Sequence, residues 1–313
     1  METMRSPRIG CIFLNYNSTD DTLGAVESLL RTQYEPLDVL VVDNGSDERG
    51  LSKLRHGLAG TNVQILEMGR NLGFTGGNNA GYRVLLQQHP DYILLLNNDT
   101  YVEPNFLGPL VEALEGDPGA AAASGLICYF PETERIWYAG GRFVPWRATG
   151  IVDDLDHNVA SVPDRGLSEV TFVSGCLSLV RASALSPEAI YDDRFFLYVD
   201  DTELSTRLIR QGFRLLYVPS SRIYHKTIHR NETARPLYYT VRNRLLLTRI
   251  VMSGPQAIVA RMYVLITTLL KCVTWRISQP LLARAAWWGI VDFYRNRLCE
   301  GRGMQLPRSK PAS

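Results

Sequence analysis

The chain has 313 residues, of which 45% are hydrophobic and 21% charged, and its formal net charge is +1. This composition is that of an ordinary globular protein, long enough for one large domain with its own core plus an appendage. The small net charge conceals an asymmetry, because residues 242–313 hold twelve Lys or Arg and only two acidic residues. We therefore expect the two parts of the chain to contact different partners.

The cysteine pattern indicates the redox state of the thiols. There are five, an odd number, scattered without a C-x-x-C pair. This pattern argues against a disulfide scaffold and a zinc site and favours reduced thiols in a cytosolic protein. No apolar signal region precedes the first predicted strand. A cytoplasmic location is therefore expected, and no nucleic-acid partner is predicted.

The first third of the chain alternates strands and helices. Strands are predicted at residues 8–15, 37–42, 63–67 and 92–97, each separated from the next by a helical pattern. This alternation predicts an α/β fold with a right-handed, mostly parallel central sheet flanked by helices. The run 93–96 has no polar face, as in a central strand that is buried on both sides.

Polar side chains follow the fourth strand directly. Asn97, Asn98 and Asp99 stand where the strand ends. In open α/β sheets, ligands bind beyond the carboxyl ends of the strands, so these residues are candidates for a small anionic substrate or its metal. The alternative is a simple turn in which Asp99 or Thr100 caps the next helix. On this stretch alone, the two interpretations are balanced.

Residues 69–81 are rich in glycine and amides and precede a predicted helix. Glycines let the backbone approach a ligand closely, and backbone amides at a helix start attract phosphate. The spacing of Gly73, Gly76, Gly77 and Gly81 matches neither the dinucleotide fingerprint nor the P-loop. The alternative is a tight loop that needs glycine only for its geometry.

A second cluster of polar residues begins at residue 195. Three aromatic residues precede Asp200, Asp201 and Glu203, which fall in the first turn of a predicted helix. Asp201 could be no more than a helix cap, because acids are favoured at this end of the dipole. A carboxylate beside an apolar wall, however, has its pKa raised towards the range of a general base. Asp201 is therefore our candidate base.

The segment between these clusters is less regular. Residues 120–130 and 170–180 are predicted to be extended, with a hairpin turn at 140–141. Residues 144–167 have no clean periodicity and contain several Pro, Gly and Asp. We interpret them as a loop or a flap on the acceptor side.

A late histidine is a candidate metal ligand. A short strand at residues 215–218 is expected to end at Pro219, and His225 follows. A lone histidine is more often a surface residue, but a divalent ion that bridges phosphates would benefit from a neutral imidazole beside the single carboxylate of Asp99. His229 is a weaker candidate.

Taken together, residues 8–225 resemble glycosyltransferase family 2, the inverting enzymes of the GT-A fold. Residues 70–74, 78–81 and 95–100 are similar to the rhamnosyltransferase-like branch of that family. The resemblance implies transfer of a sugar, rhamnose-like, from a dTDP- or UDP-sugar donor to a glycan or lipid-linked acceptor. Residues implied to contact the nucleotide sugar are Asn15, Tyr16, Asp43, Arg70, Asn71, Gly77, Asn78 and Asn98.

The resemblance also assigns roles to the two acids and the late histidine. The family's D-x-D metal motif falls on residues 97–99, where an amide replaces the first acid, so the choice between Mg²⁺ and Mn²⁺ stays open. Asp99 and His225 would hold the ion, and Asp201 matches the catalytic base. The implied reaction is a single in-line displacement with inversion.

The basic C-terminal part, residues 236–313, is expected to be a helical region appended to a catalytic domain of residues 1–235. Its apolar stretches at 257–270 and 280–293 are shorter than the ~20 residues that span a bilayer. Basic amphipathic helices with Trp suit an anionic membrane surface, on the inner face of the plasma membrane. The alternatives are a helical cap over the core and an interface between copies of the chain.

Two functions from other classes remain open at this stage. A sugar nucleotidyltransferase would share the nucleotide-binding half but has no need of a base at Asp201. A non-catalytic protein that binds nucleotide sugars is favoured by the amide at Asn97 and predicts binding without turnover.

Overall fold

The computed structural model describes residues 5–226 and 232–307. Its strands are β1 (Ile9–Asn15), β2 (Leu37–Asp43), β3 (Gln64–Glu67), β4 (Tyr92–Leu96), β5 (Thr100–Val102), β6 (Ala120–Tyr129), β7 (Ile136–Tyr138), β8 (Gly141–Val144), β9 (Thr149–Val152), β10 (Ser168–Val170), β11 (Leu177–Arg181) and β12 (Arg214–His225). Its α-helices are α1 (Thr19–Leu30), α2 (Glu48–Gly57), α3 (Gly73–Leu85), α4 (Leu107–Gly116), α5 (Asp200–Arg210), α6 (Ala234–Ile250), α7 (Gly254–Ser278) and α8 (Pro280–Tyr294).

One ten-stranded sheet forms the centre of the molecule. Its main path is β10-β12-β6-β11-β4-β1-β2-β3, with β5 paired to β12 and β7 to β6. The predicted parallel arrangement is confirmed for the first four strands, which pair as β3-β2-β1-β4. The sheet becomes mixed beyond β4, because β11 runs antiparallel to both β4 and β6. No α-helix lies between β6 and β11, and a parallel return generally needs such a crossover.

Strand β4 lies at the middle of this sheet, as predicted. All five of its residues are buried, and it pairs with β1 on one side and β11 on the other. Alternate side chains of β4 enter two different apolar cores, one on each face of the sheet. The unbroken apolar run in the sequence therefore reflects burial on both faces.

The glycine-rich segment is helical rather than a loop, so this expectation is wrong. Helix α3 begins at Gly73, and two of its glycines, Gly77 and Gly81, face the sheet. A Cβ at Gly77 would lie 2.4 Å from Leu14 Cδ1, and one at Gly81 would lie 2.8 Å from Val42 Cγ2. The glycines are required because this helix packs closer to the sheet than side chains would allow.

Strand β12 is longer than the sequence indicates. It continues for twelve residues to His225, and its pairing with β6 shifts between Val218 and Arg222. Pro219 lies within this irregularity, where the missing amide hydrogen is tolerated, so it does not end the strand. The histidine consequently sits on the sheet instead of in a loop beyond it.

Two further local expectations change, and one alternative interpretation is excluded. Residues 140–141 form no hairpin turn, because β7 pairs with β6 whereas β8 pairs with β9. The segment 144–167 is not wholly a loop, because its strand β9 forms a hairpin with β8. Its role as a flap on the acceptor side stays a prediction. Asp99 and Thr100 do not cap a helix, since β5 follows them and α4 begins only at Leu107.

Helices α6, α7 and α8 pack on one another and share a core with Phe195 and Phe196 of the preceding region. Helix α7 has 25 residues and, by length and composition alone, could cross a membrane. The expectation that the apolar stretches are too short for this is wrong for α7, because the helix continues past Lys271 to Ser278. Only 22% of its most apolar window is buried. The domain boundary at residue 235 stays a prediction.

Candidate functional site

A cavity of about 480 Å³ opens at the carboxyl edge of the sheet. Asp99 follows β4, His225 ends β12, and Asp201 lies in the first turn of α5. All three side chains line this one cavity. The fold therefore brings together the three residues that the sequence predicts to carry the chemistry, from three separate segments of the chain.

Asp99 and His225 form a contact in the wall of the cavity. His225 Nε2 lies 3.0 Å from Asp99 Oδ1, and the imidazole is 6% exposed. Trp137 packs edge-on against the ring, with 4.8 Å between ring centroids. Within the described residues, the buried Nδ1 of His225 has no hydrogen-bond partner. His229 lies outside the described residues.

The contact between Asp99 and His225 sets the charge of both groups. Burial on its own would raise the pKa of Asp99, but the neighbouring His225 lowers it below its ordinary value. Burial likewise would lower the pKa of His225, yet Cys176 and Asp99 together raise it well above its ordinary value. Each of the two groups therefore favours the charged form of the other.

Asp201 lines the same cavity and is held by backbone amides. Its Oδ1 accepts a hydrogen bond of 2.7 Å from the Thr202 amide, and its Oδ2 a longer one of 3.4 Å from the Gly175 amide. Burial raises the pKa of Asp201 in spite of these bonds. Burial and the adjacent Asp201 raise the pKa of Asp200 well above its ordinary value. This arrangement provides the perturbed carboxylate that a general base requires.

Three asparagines line the same cavity. Asn98 donates to Thr22 Oγ1 over 2.8 Å, and Asn78 donates to the Phe74 carbonyl over 2.8 Å. The backbone amide of Asn97 donates to the Cys176 carbonyl, which fixes the end of β4 against the turn before β11. The predicted residues Asn78 and Asn98 therefore reach the cavity with their orientation set by hydrogen bonds to the protein.

A smaller cavity of about 280 Å³ adjoins the first. The two share Leu14, Phe74, Leu197 and Tyr198 as walls. Among the residues predicted to bind the nucleotide sugar, Tyr16 and Asn71 line the smaller cavity. Its remaining lining residues are Asn44, Gly73, Phe196, Arg235, Pro236 and Met304.

The other predicted nucleotide-sugar residues are not part of either cavity wall. Asn15 and Asp43 are fully buried and bind each other, with 2.8 Å between Asn15 Nδ2 and Asp43 Oδ1. Asp43 also accepts from the Ser46 amide. Arg70 is exposed, and Gly77 packs on the sheet. For these four residues, a contact with the nucleotide stays a prediction.

The start of α3 does not offer free amides to a phosphate. The Gly73 amide donates to Asn71 Oδ1, and those of Phe74 and Thr75 donate to the Phe196 carbonyl. The prediction that these backbone amides bind phosphate is therefore wrong. The protein itself already provides a hydrogen-bond acceptor for each of the three N–H groups at the start of the helix.

Some residues of the site escape sequence reasoning. Asn44 joins two turns by donating to the Gly73 carbonyl and accepting from the Leu72 amide. Trp137 reaches His225 only because β7 pairs with β6, and no local pattern indicates that pairing. Asn44 has a signal in hindsight, since it follows β2 in the same way that Asn97 follows β4.

The sequence of the chain matches known glycosyltransferases. Residues 11–186 match the model of glycosyl transferase family 2. The N-acetylglucosaminyl-diphospho-decaprenol L-rhamnosyltransferase of Mycobacterium tuberculosis is 26% identical over 226 residues, which cover 64% of this chain and 70% of that protein. The rhamnosyltransferase WbbL of Escherichia coli is 28% identical over 169 residues, which cover 51% of this chain and 63% of that protein.

Solved structures show the same fold. TarS of S. aureus, in complex with UDP-GlcNAc, has a TM-score of 0.57 at 13% identity and covers 89% of this chain and 79% of its own. The mannosyltransferase PcManGT of Pyrobaculum calidifontis, in complex with GDP-Man and Mn²⁺, has a TM-score of 0.55 at 12% identity and covers 94% and 89%. These likenesses show the GT-A fold. The chain therefore belongs to glycosyltransferase family 2 and is a glycosyltransferase.

Proposed function

We propose that this glycosyltransferase moves a rhamnose-like sugar from a dTDP- or UDP-sugar to a hydroxyl of a lipid-linked glycan, with inversion at the anomeric carbon. The observation that carries this proposal is the convergence of Asp99, His225 and Asp201 on one cavity. The similarity to two proteins named as rhamnosyltransferases favours the donor sugar. The name of the first, which includes a diphospho-decaprenol, favours a lipid-linked acceptor.

The larger cavity suits the reacting sugar and the smaller one the nucleotide. The cavities share walls, so one extended ligand can occupy both. Tyr16 and Asn71 line the smaller cavity, where an aromatic ring and an amide can hold a pyrimidine and its ribose. The diphosphate of the donor would then lie near the end of β4, beside Asp99.

Asp99 and His225 fit a divalent ion such as Mg²⁺ or Mn²⁺. The carboxylate of Asp99 and the imidazole of His225, 3.0 Å apart, would offer the oxygen and nitrogen donors that such an ion takes. No cluster of three or more His, Cys, Asp or Glu forms a metal site in residues 5–226 and 232–307. The donor diphosphate would therefore complete the coordination, and the bound ion would neutralise the leaving group.

Asp201 performs the proton transfer in this proposal. Its carboxylate, held by the amides of Thr202 and Gly175, takes the proton of the acceptor hydroxyl as that oxygen attacks the anomeric carbon. The raised pKa makes it a stronger base than an ordinary aspartate. Because attack and departure occur in line, no covalent sugar intermediate on the protein is needed.

Helix α7 would hold the enzyme at the membrane surface that presents the acceptor. Within the described residues, its exposed face carries Ile258, Val259, Met262, Ile266, Leu269, Leu270, Val273 and Ile277. The exposed Trp146 packs beside this helix against Tyr263. The surrounding chain is strongly basic. An apolar face within a basic region favours an anionic bilayer surface, from the cytoplasmic side.

A transfer assay with defined components tests the proposed function. The purified chain is incubated with dTDP-rhamnose, UDP-glucose or UDP-N-acetylglucosamine, with Mg²⁺ or Mn²⁺, and with a short polyprenyl diphospho-N-acetylglucosamine acceptor. We expect the glycosylated lipid from dTDP-rhamnose and the opposite anomeric configuration by NMR. Retained configuration would refute the single displacement. Pyrophosphate release from a sugar phosphate and a nucleoside triphosphate would favour the nucleotidyltransferase alternative instead.

A further inference from the structure

Residues 195–199 connect the site to the C-terminal helices. We name this segment the acid loop, because it leads directly into the acidic first turn of α5. Leu197, Tyr198 and Val199 line the larger cavity, which holds Asp99, Asp201 and His225 and which we call the catalytic cavity. Helix α5, with Asp201 in its first turn, begins directly after this loop. The position of the Asp201 carboxylate therefore depends on the backbone of the acid loop.

The acid loop has an unfavourable backbone conformation. Phe196, Tyr198 and Val199 have φ values of 63°, 66° and 68°. Side chains rarely adopt this left-handed region, and a β-branched residue such as Val199 least of all. Such a conformation persists only where the surrounding structure imposes it, and it is concentrated at functional sites.

Two buried residues of α6 impose this conformation. Asn243 Nδ2 lies 2.8 Å from each of the carbonyl oxygens of Phe195, Leu197 and Tyr198. Arg242 Nη2 donates to the Phe195 carbonyl over 2.8 Å. Both side chains are fully buried, and Arg242 Nε also donates to Asn243 Oδ1. The arrangement joins three loop carbonyls to one helix.

The acid loop also reaches the donor side of the site. The carbonyl of Phe196 accepts from the amides of Phe74 and Thr75 at the start of α3. The ring of Phe196 stacks on Tyr239 of α6, with 5.4 Å between centroids. The acid loop is therefore held by α3 on the donor side as well as by α6.

We infer that Asn243 and Arg242 are positioning residues for glycosyl transfer, which act through the acid loop to place the carboxylate of Asp201 against the acceptor hydroxyl. This inference rests on the proposed function only for the role of Asp201. It gives these two residues of α6 a role in positioning the base, in addition to any contact of the C-terminal helices with a membrane. A small displacement of a catalytic group, of about 1 Å, can lower the rate by about 10²-fold.

The test compares Asn243→Asp with Tyr238→Phe in the chain of residues 1–313. Asn243→Asp keeps the size of the side chain but replaces the donor that faces three carbonyls with an acceptor. Tyr238→Phe is the matched control, because Tyr238 lies on the same buried helix and bonds Asp292 and the Arg302 amide instead of the loop. With dTDP-rhamnose as donor, we expect kcat to fall about 10²-fold in Asn243→Asp with dTDP affinity within threefold. Tyr238→Phe should change neither.

Hydrogen exchange gives a second readout that does not depend on activity. The amides of Phe74 and Thr75 donate to Phe196, and that of Glu203 donates to the Val199 carbonyl. They should exchange faster in Asn243→Asp than in Tyr238→Phe. Equal exchange in the two variants, or fast exchange with an unchanged kcat, would overturn the inference. An active Asp201→Asn enzyme would refute the base assignment while leaving the exchange result intact.

A second variant covers the case in which Asn243→Asp fails to fold. Arg242→Lys keeps the charge but loses the fork that reaches the carbonyls of Phe195 and Cys299. We expect a smaller fall in kcat, about 10-fold, and the same pattern of faster exchange. Loss of kcat in proportion to lost thermal stability, in Arg242→Lys and Tyr238→Phe alike, would show a purely structural role.

Discussion

The catalytic cavity and the exposed face of α7 depart from ordinary burial in opposite directions. At the cavity, ionisable and amide side chains such as Asp200 and Asn78 are buried, although most such groups lie in water. On α7, large apolar side chains such as Val273 and Ile277 are 75% and 87% exposed. The first departure is stabilised by hydrogen bonds within the protein. The second has no compensation within the described structure and therefore indicates an external partner.

The two regions are also connected through helix α6. Helix α6 belongs by sequence to the basic C-terminal part, yet its Arg242 and Asn243 bind the acid loop of the catalytic cavity. Helix α7 follows it and carries the exposed face. Substitutions in each region can separate the chemistry of the cavity from the binding of the apolar face.

Asp201→Asn tests the cavity most directly. The amide cannot accept the acceptor proton, so we expect transfer to fall by about 10³-fold, within the range of a lost general base. Donor affinity, measured by calorimetry with dTDP-rhamnose, should stay within threefold. Glu203→Gln is the matched control in the same helical turn, because Glu203 binds Arg207 instead of facing the cavity. Equal loss of transfer and donor affinity in Asp201→Asn would contradict the assignment.

His225→Ala tests the proposed metal site. With only Asp99 left as a protein ligand, the Mn²⁺ concentration for half-maximal activity should rise by about 10²-fold, since even the loss of an outer-shell partner costs 10–100-fold. A Mn²⁺ titration of the transfer rate measures this. His157→Ala, at an exposed histidine outside the cavity, should leave the titration unchanged. An unchanged curve in His225→Ala would exclude this histidine as a ligand.

The double substitution Val273→Glu with Ile277→Glu tests the apolar face of α7. Burial of a Val or Ile side chain contributes about 1.5–3 kcal/mol, so partitioning to vesicles with anionic phospholipid should fall at least about 10-fold. Sedimentation with the vesicles measures the bound fraction. Transfer to a water-soluble acceptor should be unchanged.

Thr274→Glu with Ser278→Glu is the matched control for that experiment. It adds the same charge at the same helical spacing, on exposed polar positions of α7. It should lose only the smaller electrostatic part of the binding. If the wild-type chain is instead a dimer in solution and Val273→Glu with Ile277→Glu makes it monomeric, a second copy covers the face and the membrane proposal fails.

The pH dependence of kcat should show the raised pKa of Asp201. The base acts when deprotonated, so activity is lost as the pH falls through its pKa. Because burial raises that pKa, the acid limb should lie above the ordinary aspartate value of about 3.9. A limb at or below the ordinary value would contradict the buried base.

The strand ends were the most predictable part of the site. Asp99 and Asp201 could be selected because each follows an apolar run that fixes its place at the edge of the sheet or at the start of a helix. The prediction that the glycine-rich segment binds phosphate through free amides is wrong for a physical reason. Gly77 and Gly81 serve close packing against Leu14 and Val42, and no local pattern distinguishes that use from a phosphate loop.

The apolar runs, the helix starts and the order of the motifs follow from neighbouring residues, and so the sequence alone determined the α/β class, the family and the acids of the cavity. Only the tertiary structure decided which distant groups meet. It carried β12 through Pro219 so that His225 reaches Asp99, and it placed Asn243 under the acid loop. Such contacts depend on pairing between segments far apart in the chain and on burial of polar groups, and neither leaves a periodic pattern in the sequence.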